Sequence, residues 1–254
     1  SLNIHHSETT VQLVEIFILH EESSFDWYVK FMPLFLNEIR TTRNPLFLKL
    51  LQNLLVSIPP TWLTYFTDDL ITLVYEMWNT EQLLDVLGVV SALAAALNNQ
   101  FAPFLPQCIT LLLDCLFSSR STRPDICLKV LESILALRHI SNDYLFLIIP
   151  EIIQTASRSL TPEETRIDAL DTLRIIIQSC DCQSYSAEIV RCIKSCIQMQ
   201  GKLREIALQV LYSLQVSLGK KFGLFQNIFN RILDKDENYR SLINVSISTG
   251  KFSS

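Results

Sequence analysis

Glycine is scarce in this chain, with five in 254 residues. A phosphate-cradling loop needs several in a fixed pattern. Gly219-Lys220-Lys221 lacks both the first glycine and the Ser/Thr of such a loop, so it reads as a turn with Gly219 just past a helix end. Charge of one sign is equally thin: 21 basic and 26 acidic residues are scattered singly, for a net charge of −5 and a pI of about 5.4. Following a nucleic-acid backbone takes a concentrated basic face, and its absence argues against nucleic acid as the main partner. The longest apolar run, Leu83 to Leu97, carries Asp85 and falls short of the roughly 20 residues that span a bilayer, so no transmembrane segment is expected. Ser1 to Thr10 holds two histidines and a glutamate and no apolar stretch, so no signal peptide is expected. The chain does not begin with Met, and nothing caps its end at Ser254, which fits a piece cut from a longer protein.

Chemistry-bearing motifs are missing as well. His5, His6, His20 and His139 have no Ser, Cys or carboxylate at a spacing that makes a triad or a ligand set. Seven cysteines are present. Cys180-Asp181-Cys182 with Cys192 and Cys196 lacks the C-x2-C knuckles of a structural zinc site. Cys108, Cys115, Cys127 and Cys192 lie in apolar helical stretches, and Cys192 and Cys196 are i, i+4 neighbours on one helix. Reduced, buried thiols of a cytosolic protein account for these better than a metal site or a disulfide framework. The carboxylate pairs Glu163-Glu164 and Asp68-Asp69 stand at helix starts, where negative charge favours the helix dipole. Asn244-Val245-Ser246 is a formal glycosylation sequon without a secretion signal to give it meaning. No catalytic residue, cofactor or metal is expected in this segment.

What the chain does have is apolar residues, 49% of the total, arranged in a signature that recurs six times. The copies read Met32, Phe35, Ile39; Ile71, Val74, Trp78; Ile109, Leu112, Leu116; Ile149, Ile152, Ala156; Val190, Ile193, Ile197; and Phe225, Ile228, Ile232. Spacing of i, i+3, i+7 puts three side chains on one helix face. Successive copies start 39, 38, 40, 41 and 35 residues apart, within the range of helical-pair repeats. An aromatic residue precedes each of the first five copies: Trp27, Phe66, Phe104, Tyr144 and Tyr185. The sixth has Lys220 there and Phe222 two residues on.

Each signature helix, here A, is followed by a polar turn and a second helix, B, with its own apolar stripe. The turns are Thr41 to Pro45, Asn79-Thr80, Ser118 to Pro124, Ser157 to Pro162, Gln198 to Gly201, and Asp234 to Asn238. The B helices are predicted at Leu46–Val56, Glu81–Leu97, Ile126–Leu137, Glu163–Gln178, Lys202–Leu218 and Glu237–Ile247. At Thr161-Pro162-Glu163-Glu164 a capping box is expected, with Thr161 the cap, Pro162 the first helical residue and Glu164 closing the box. Acidic residues are expected to concentrate in the A–B turns and not on the B helices. Pro33 and Pro150 fall inside A helices and predict a kink in each. One A–B pair cannot cover both of its stripes, so the pairs must stack, and the signature becomes the structural seam between them. The fold expected is an all-α solenoid of about six antiparallel helix pairs plus a leading half repeat. A tail and partial repeat occupy 1–24, with Val11 to His20 as its helix, and the solenoid occupies 25–254. Its repeats fall at about 25–58, 62–99, 101–139, 143–179, 184–218 and 222–250.

The repeats have the features of HEAT repeats, in which the first helix is often bent and an Arg often stands early in the second, as Arg166 and Arg204 do here. Phe101-Ala102-Pro103-Phe104-Leu105-Pro106-Gln107, Asn142-Asp143-Tyr144-Leu145 running to Pro150, Leu218-Gly219-Lys220-Lys221-Phe222, and Asn238-Tyr239 carry the match further. In order and spacing, from about Phe25 to Phe252, the chain resembles successive repeats of the middle HEAT region of the target of rapamycin (TOR) kinases, of the PIKK family. The family often has Pro after the Ile of the signature, and this chain departs from it with Thr72 and Thr110 there.

The resemblance implies a very large serine/threonine protein kinase that controls growth in response to nutrients, with its catalytic domain C-terminal of Ser254. It implies that this segment is non-catalytic scaffold. Its partners would be a raptor-like or rictor-like adaptor, a second TOR protomer and the neighbouring HEAT repeats, met through elements such as the Ser118 to Pro124 turn. The location implied is cytoplasmic, with peripheral attachment to endomembranes through partners. The other reading is a HEAT adaptor of a different class, such as an importin-like transport receptor or a phosphatase scaffold. An importin would carry acidic residues on its inner, B helices.

Overall fold

The structure, a computed structural model, describes residues 25–225. The sixth B helix Glu237–Ile247, the Asp234 to Asn238 turn, the Val11 to His20 helix, the sequon and His5, His6 and His20 lie outside the described residues, as does nearly all of the 222–250 repeat.

The helices alternate as the apolar periodicity dictates. The A helices are α1 (Phe25–Thr42), α3 (Thr67–Met77), α5 (Leu105–Ser119), α7 (Leu145–Ser157) and α9 (Ser186–Ile197). The B helices are α2 (Pro45–Ser57), α4 (Leu83–Leu97), α6 (Pro124–Ala136), α8 (Glu163–Ser179) and α10 (Lys202–Leu218). There is no strand among the described residues. The 83–119 stretch is apolar and helical enough to cross a membrane by length and composition alone. Its regular helix nevertheless ends at Leu97, where Asn98 takes a φ of +48° and a 3-10 segment, Asn98–Phe104, follows.

Local chemistry sets the ends. Asn44 caps α2, its Oδ1 accepting from the Leu46 N–H at 3.0 Å, and Pro45 occupies the first turn, where a missing N–H costs nothing. Gly201, at φ +71°, opens α10 in a backbone conformation that a side chain would strain. The expected capping box does not form. Pro162 itself is the cap residue of α8, with extended backbone, and Thr161 is buried with its hydroxyl making no hydrogen bond. With the cap one residue late, Thr161 lies outside the first turn and cannot reach the N–H groups it would have satisfied.

The aromatic at four of the five copies marks a break before the A helix, whereas Trp27 lies within α1. Phe66, Tyr144 and Tyr185 each end a short 3-10 turn, at φ, ψ of −108°, 0°; −111°, 3°; and −102°, 2°. Phe104 and Phe222 end 3-10 segments as well. Phe222 thus takes the place that simple alignment gave to Lys220. The A helix itself continues through Pro33 in α1 and Pro150 in α7, and each proline removes one helical hydrogen bond.

The described residues divide into two units at Gln107 and Cys108. In the first, α1 packs on α3, α2 on α4, and α3 on α4. In the second, α7 packs on α9, α6 on α8 and α8 on α10, while α7 packs on α8 and α9 on α10 within their pairs. A on A and B on B within each unit is the stacking of a helical-pair solenoid. All fifteen signature residues of the first five copies are buried, nine of them completely, among them Met32, Ile39, Leu112, Ile152 and Ile193. Phe225 is half-buried. Ile228 and Ile232 lie outside the described residues.

Candidate interaction surface

With the seam buried, the side chains available for function are those that join pairs and those that face outward. The joining contacts come first because they fix the shape that any partner would read.

Arg166 and Arg204, early in their B helices, reach back to the preceding A helix. Arg166 Nε donates to the Ala156 carbonyl at 2.8 Å, and an Arg204 guanidinium N–H donates to the Ile197 carbonyl. Each acceptor is the third signature residue of its copy. A helix C-terminus leaves carbonyls without partners and carries partial negative charge, so a guanidinium there satisfies both. Two cysteine side chains of α9 gather at the first of these sites. The Ser157 hydroxyl donates to Cys192 Sγ at 3.3 Å, and Cys196 Sγ, one turn on, lies 3.8 Å from the Ala156 oxygen. The neighbouring Cys192 thiol, together with the Arg166 charge, holds the Cys196 thiol down to about 7, while Cys192 is pushed up.

Other polar contacts connect residues one repeat apart. In the first unit Arg40 Nε meets Glu76 Oε2 at 2.7 Å, and Gln52 Nε2 donates to the Asp85 carbonyl at 2.9 Å. In the second, Gln178 Nε2 donates to Ser213 Oγ at 3.0 Å and Lys221 Nζ to Gln183 Oε1 at 2.6 Å. Gly88 sits under the Gln52 amide so closely that a Cβ there would fall 2.6 Å from it.

Arg120, in the A–B turn expected to be a contact element, is 2% exposed. Its Nη1 lies 3.5 Å from Glu151 Oε2 and 3.4 Å from Gln154 Oε1, and its guanidinium sits 4.3 Å over the Phe117 ring. Burial and the nearby Arg158 charge push it below the ordinary arginine value, and Glu151 opposes them. Ser119 is buried too, while Ser118 and Ser121 to Pro124 of this turn face out. The turn is surface at both ends and core at Ser119 and Arg120.

No catalytic constellation is assembled among the described residues. The seven cysteines are free and buried, and no group of three His, Cys, Asp or Glu able to hold a metal occurs among the described residues. Burial pushes Cys108 and Cys182 up to about 12 and Cys115 to about 11. Glu163, Glu164, Asp68 and Asp69 are exposed in the first turns of α8 and α3, and His139 is exposed.

The placement of acidic residues differs from expectation. Glu164, Asp168 and Asp171 on α8 and Glu132 on α6 lie near enough that, after burial, Glu164 and Asp171 do most to raise the Asp168 carboxyl. Lys129 pairs with Glu132 at 2.7 Å and Arg174 with Asp171 at 2.7 Å, while Lys202 opposes the shift at Asp168. Carboxylates four apart on one helix share a face, and counting them by segment conceals that. A groove of about 500 Å³ opens between the ends of α8 and α10, lined by Gln178, Cys180, Tyr212 and Ser213 among others. Several large apolar side chains face outward, Leu160 and Met199 from A–B turns and Tyr65 from the turn before α3.

Arg120, Gln52 and the groove carried no sequence signal, since their partners lie a full repeat away at no fixed offset. Gly88 did carry one: a lone glycine inside a strong helical pattern usually has a packing reason.

No family model matches the chain. It is 26% identical over 220 residues to the serine/threonine-protein kinase mTor of Drosophila melanogaster, an alignment covering 84% of this chain and 9% of that protein. It is 24% identical over 239 residues to the serine/threonine-protein kinase tor1 of Schizosaccharomyces pombe, covering 92% and 10%. It is 25% identical to the serine/threonine-protein kinase TOR of Arabidopsis thaliana, again covering 92% and 10%. The chain spans about a tenth of the length of these curated relatives. It is similar to one stretch of the target of rapamycin serine/threonine kinases.

Proposed function

We propose that the chain is a non-catalytic HEAT-repeat scaffold segment of a TOR-type kinase of the PIKK family, one that couples growth to nutrients. In this reading it helps assemble the kinase dimer and offers surface to a raptor-like or rictor-like adaptor, in the cytoplasm and at endomembranes through those partners. Phosphate transfer belongs to a catalytic domain elsewhere in the parent chain. The supporting observation is the match of 84–92% of the chain to about a tenth of three TOR kinases, combined with stacked helix pairs whose polar side chains are engaged in joining one pair to the next. A surface that holds shape and spacing without reacting groups suits recognition of other proteins.

The carboxylates Glu132, Glu164, Asp168 and Asp171 on the B helices lend one observation to the other reading, an importin-like receptor with a cationic partner. Binding separates the two. Purified chain is expected to capture a raptor-like or rictor-like adaptor, or a second TOR protomer, saturably and with little dependence on a lysine-rich peptide competitor. Capture of the basic peptide alone would overturn the scaffold reading.

A further inference from the structure

Seven buried thiols have no part in a scaffold, and two of them differ from the rest in their surroundings. Cys192 and Cys196 are in the last turns of α9, which ends at Ile197. They are i, i+4 neighbours on one helix face, and Ser157 donates to Cys192. Cys196 Sγ and Arg166 Nε meet the same Ala156 carbonyl oxygen, at 3.8 and 2.8 Å. One cluster therefore contains a thiol pair, a guanidinium and the contact that ties α7, α8 and α9 together.

We propose that Cys192 and Cys196 form a peroxide-sensitive thiol pair whose oxidation to a disulfide loosens the Arg166 clamp between the fourth and fifth helix pairs. The chemistry balances with hydrogen peroxide as oxidant. Cys196 thiolate attacks one peroxide oxygen; the S–O bond forms, the O–O bond breaks, and hydroxide leaves and takes a proton from solvent. The Cys192 thiol then attacks the sulfenic sulfur; the S–S bond forms, the S–O bond breaks, and water leaves carrying the Cys192 proton. Two electrons pass from the thiols to the peroxide.

Geometry supplies the mechanical consequence. Side chains four apart on a helix have Cβ atoms about 5–6 Å apart, whereas a disulfide needs about 3.5–4.5 Å. Closing the bond must tighten the helix, and the last turn is where a helix can shift to i→i+3 pairing at least cost. That movement draws Cys196 away from the Ala156 oxygen and from Arg166. The pair also differs from Cys108, Cys115 and Cys182, which have no cation beside them and whose thiols burial keeps protonated. Cys196 is completely buried and Cys192 nearly so. Oxidation therefore proceeds through opening of the end of α9, more slowly than at a free thiol.

The test is to treat the full 254-residue chain with dilute hydrogen peroxide, alkylate the remaining thiols and digest with trypsin. Cleavage after Arg191 and Lys194 separates the two cysteines, so the disulfide links peptide 192–194 to peptide 195–202. The expected result is that linked species, reversed by dithiothreitol, together with a melting midpoint lower by a few degrees in the oxidised chain. In Cys192→Ser the sulfenic acid is expected to persist and to give a dimedone adduct on Cys196. Alkylated Cys196 recovered after other cysteines have cross-linked would overturn the proposal. So would an oxidised chain that melts with the reduced one. Both readouts come from the unaltered chain, so they stand even if Cys192→Ser fails to fold.

Discussion

Arg166 Nε donates to the carbonyl oxygen of Ala156, ten residues back, at 2.8 Å, joining the start of one helix to the end of the helix before it. Arg166 is buried and its acceptor belongs to the seam. Arg204 repeats the contact at Ile197, from a less buried position. Loss of a buried, charge-assisted hydrogen bond leaves a carbonyl unsatisfied, at a cost of about 2–3 kcal/mol. Arg166→Ala is expected to lower the unfolding free energy by that amount, read as a lower urea midpoint at an unchanged slope, with Arg204→Ala costing less. Equal midpoints for Arg166→Ala and the parent would show that the clamp contributes nothing.

Ile152 is completely buried in the middle of its signature copy. Ile152→Asp places an unpaired carboxylate there, at several kcal/mol. In a stack, neighbouring pairs should be lost together. Circular dichroism should show one cooperative loss of more helix than α7 contains. An unchanged thermal melt would show that this face is not the seam.

Gly88 and Gln52 make a double-mutant cycle. Gly88→Ala should destabilise, because its Cβ would sit 2.6 Å from the Gln52 amide and displace it from the Asp85 carbonyl. In a Gln52→Ala background the same change should stabilise by up to about 1 kcal/mol, the helix preference of alanine over glycine. The cycle is read from denaturation midpoints, and the same sign in both backgrounds would refute the contact.

The all-α solenoid was legible in the sequence because one i, i+3, i+7 pattern, whose residues are buried in the first five copies, recurs at a nearly constant spacing. Helix boundaries were legible wherever proline or a capping residue stood alone, as at Asn44-Pro45. They failed at Thr161, where proline took the cap position itself. The aromatic positions were visible but their role was not, since a 3-10 break at Tyr144 depends on backbone geometry that periodicity does not encode. Arg120 looked like part of a solvated turn because its partners, Glu151 and Gln154, lie a repeat further on. The acidic face on α8 was hidden for the same reason, one of its members, Glu132, coming from α6.

Alkaline pH should weaken the fold. Cys108, Cys115 and Cys182 titrate at about 12, 11 and 12 when folded, against 9.0 for an ordinary thiol. Below pH 9 both states keep these protons and the contribution is complete. Above it the unfolded chain binds fewer protons than the folded one, so stability falls as pH rises toward 11 to 12, by about 1.4 kcal/mol per pH unit for each thiol. Denaturation midpoints at pH 8.5 and 10.5 should differ accordingly, and Cys108→Ala should flatten the dependence. A slope that Cys108→Ala leaves unchanged would assign the effect to other groups.

The scaffold reading is tested most directly in a full-length TOR-type kinase, by replacing residues 25–225 with an unrelated helical-repeat segment of equal length. Phosphorylation of a peptide by the adaptor-free enzyme should be retained, while co-purification of the adaptor or of the second protomer should be lost. Retention of both partners, or loss of adaptor-free kinase activity, would contradict it.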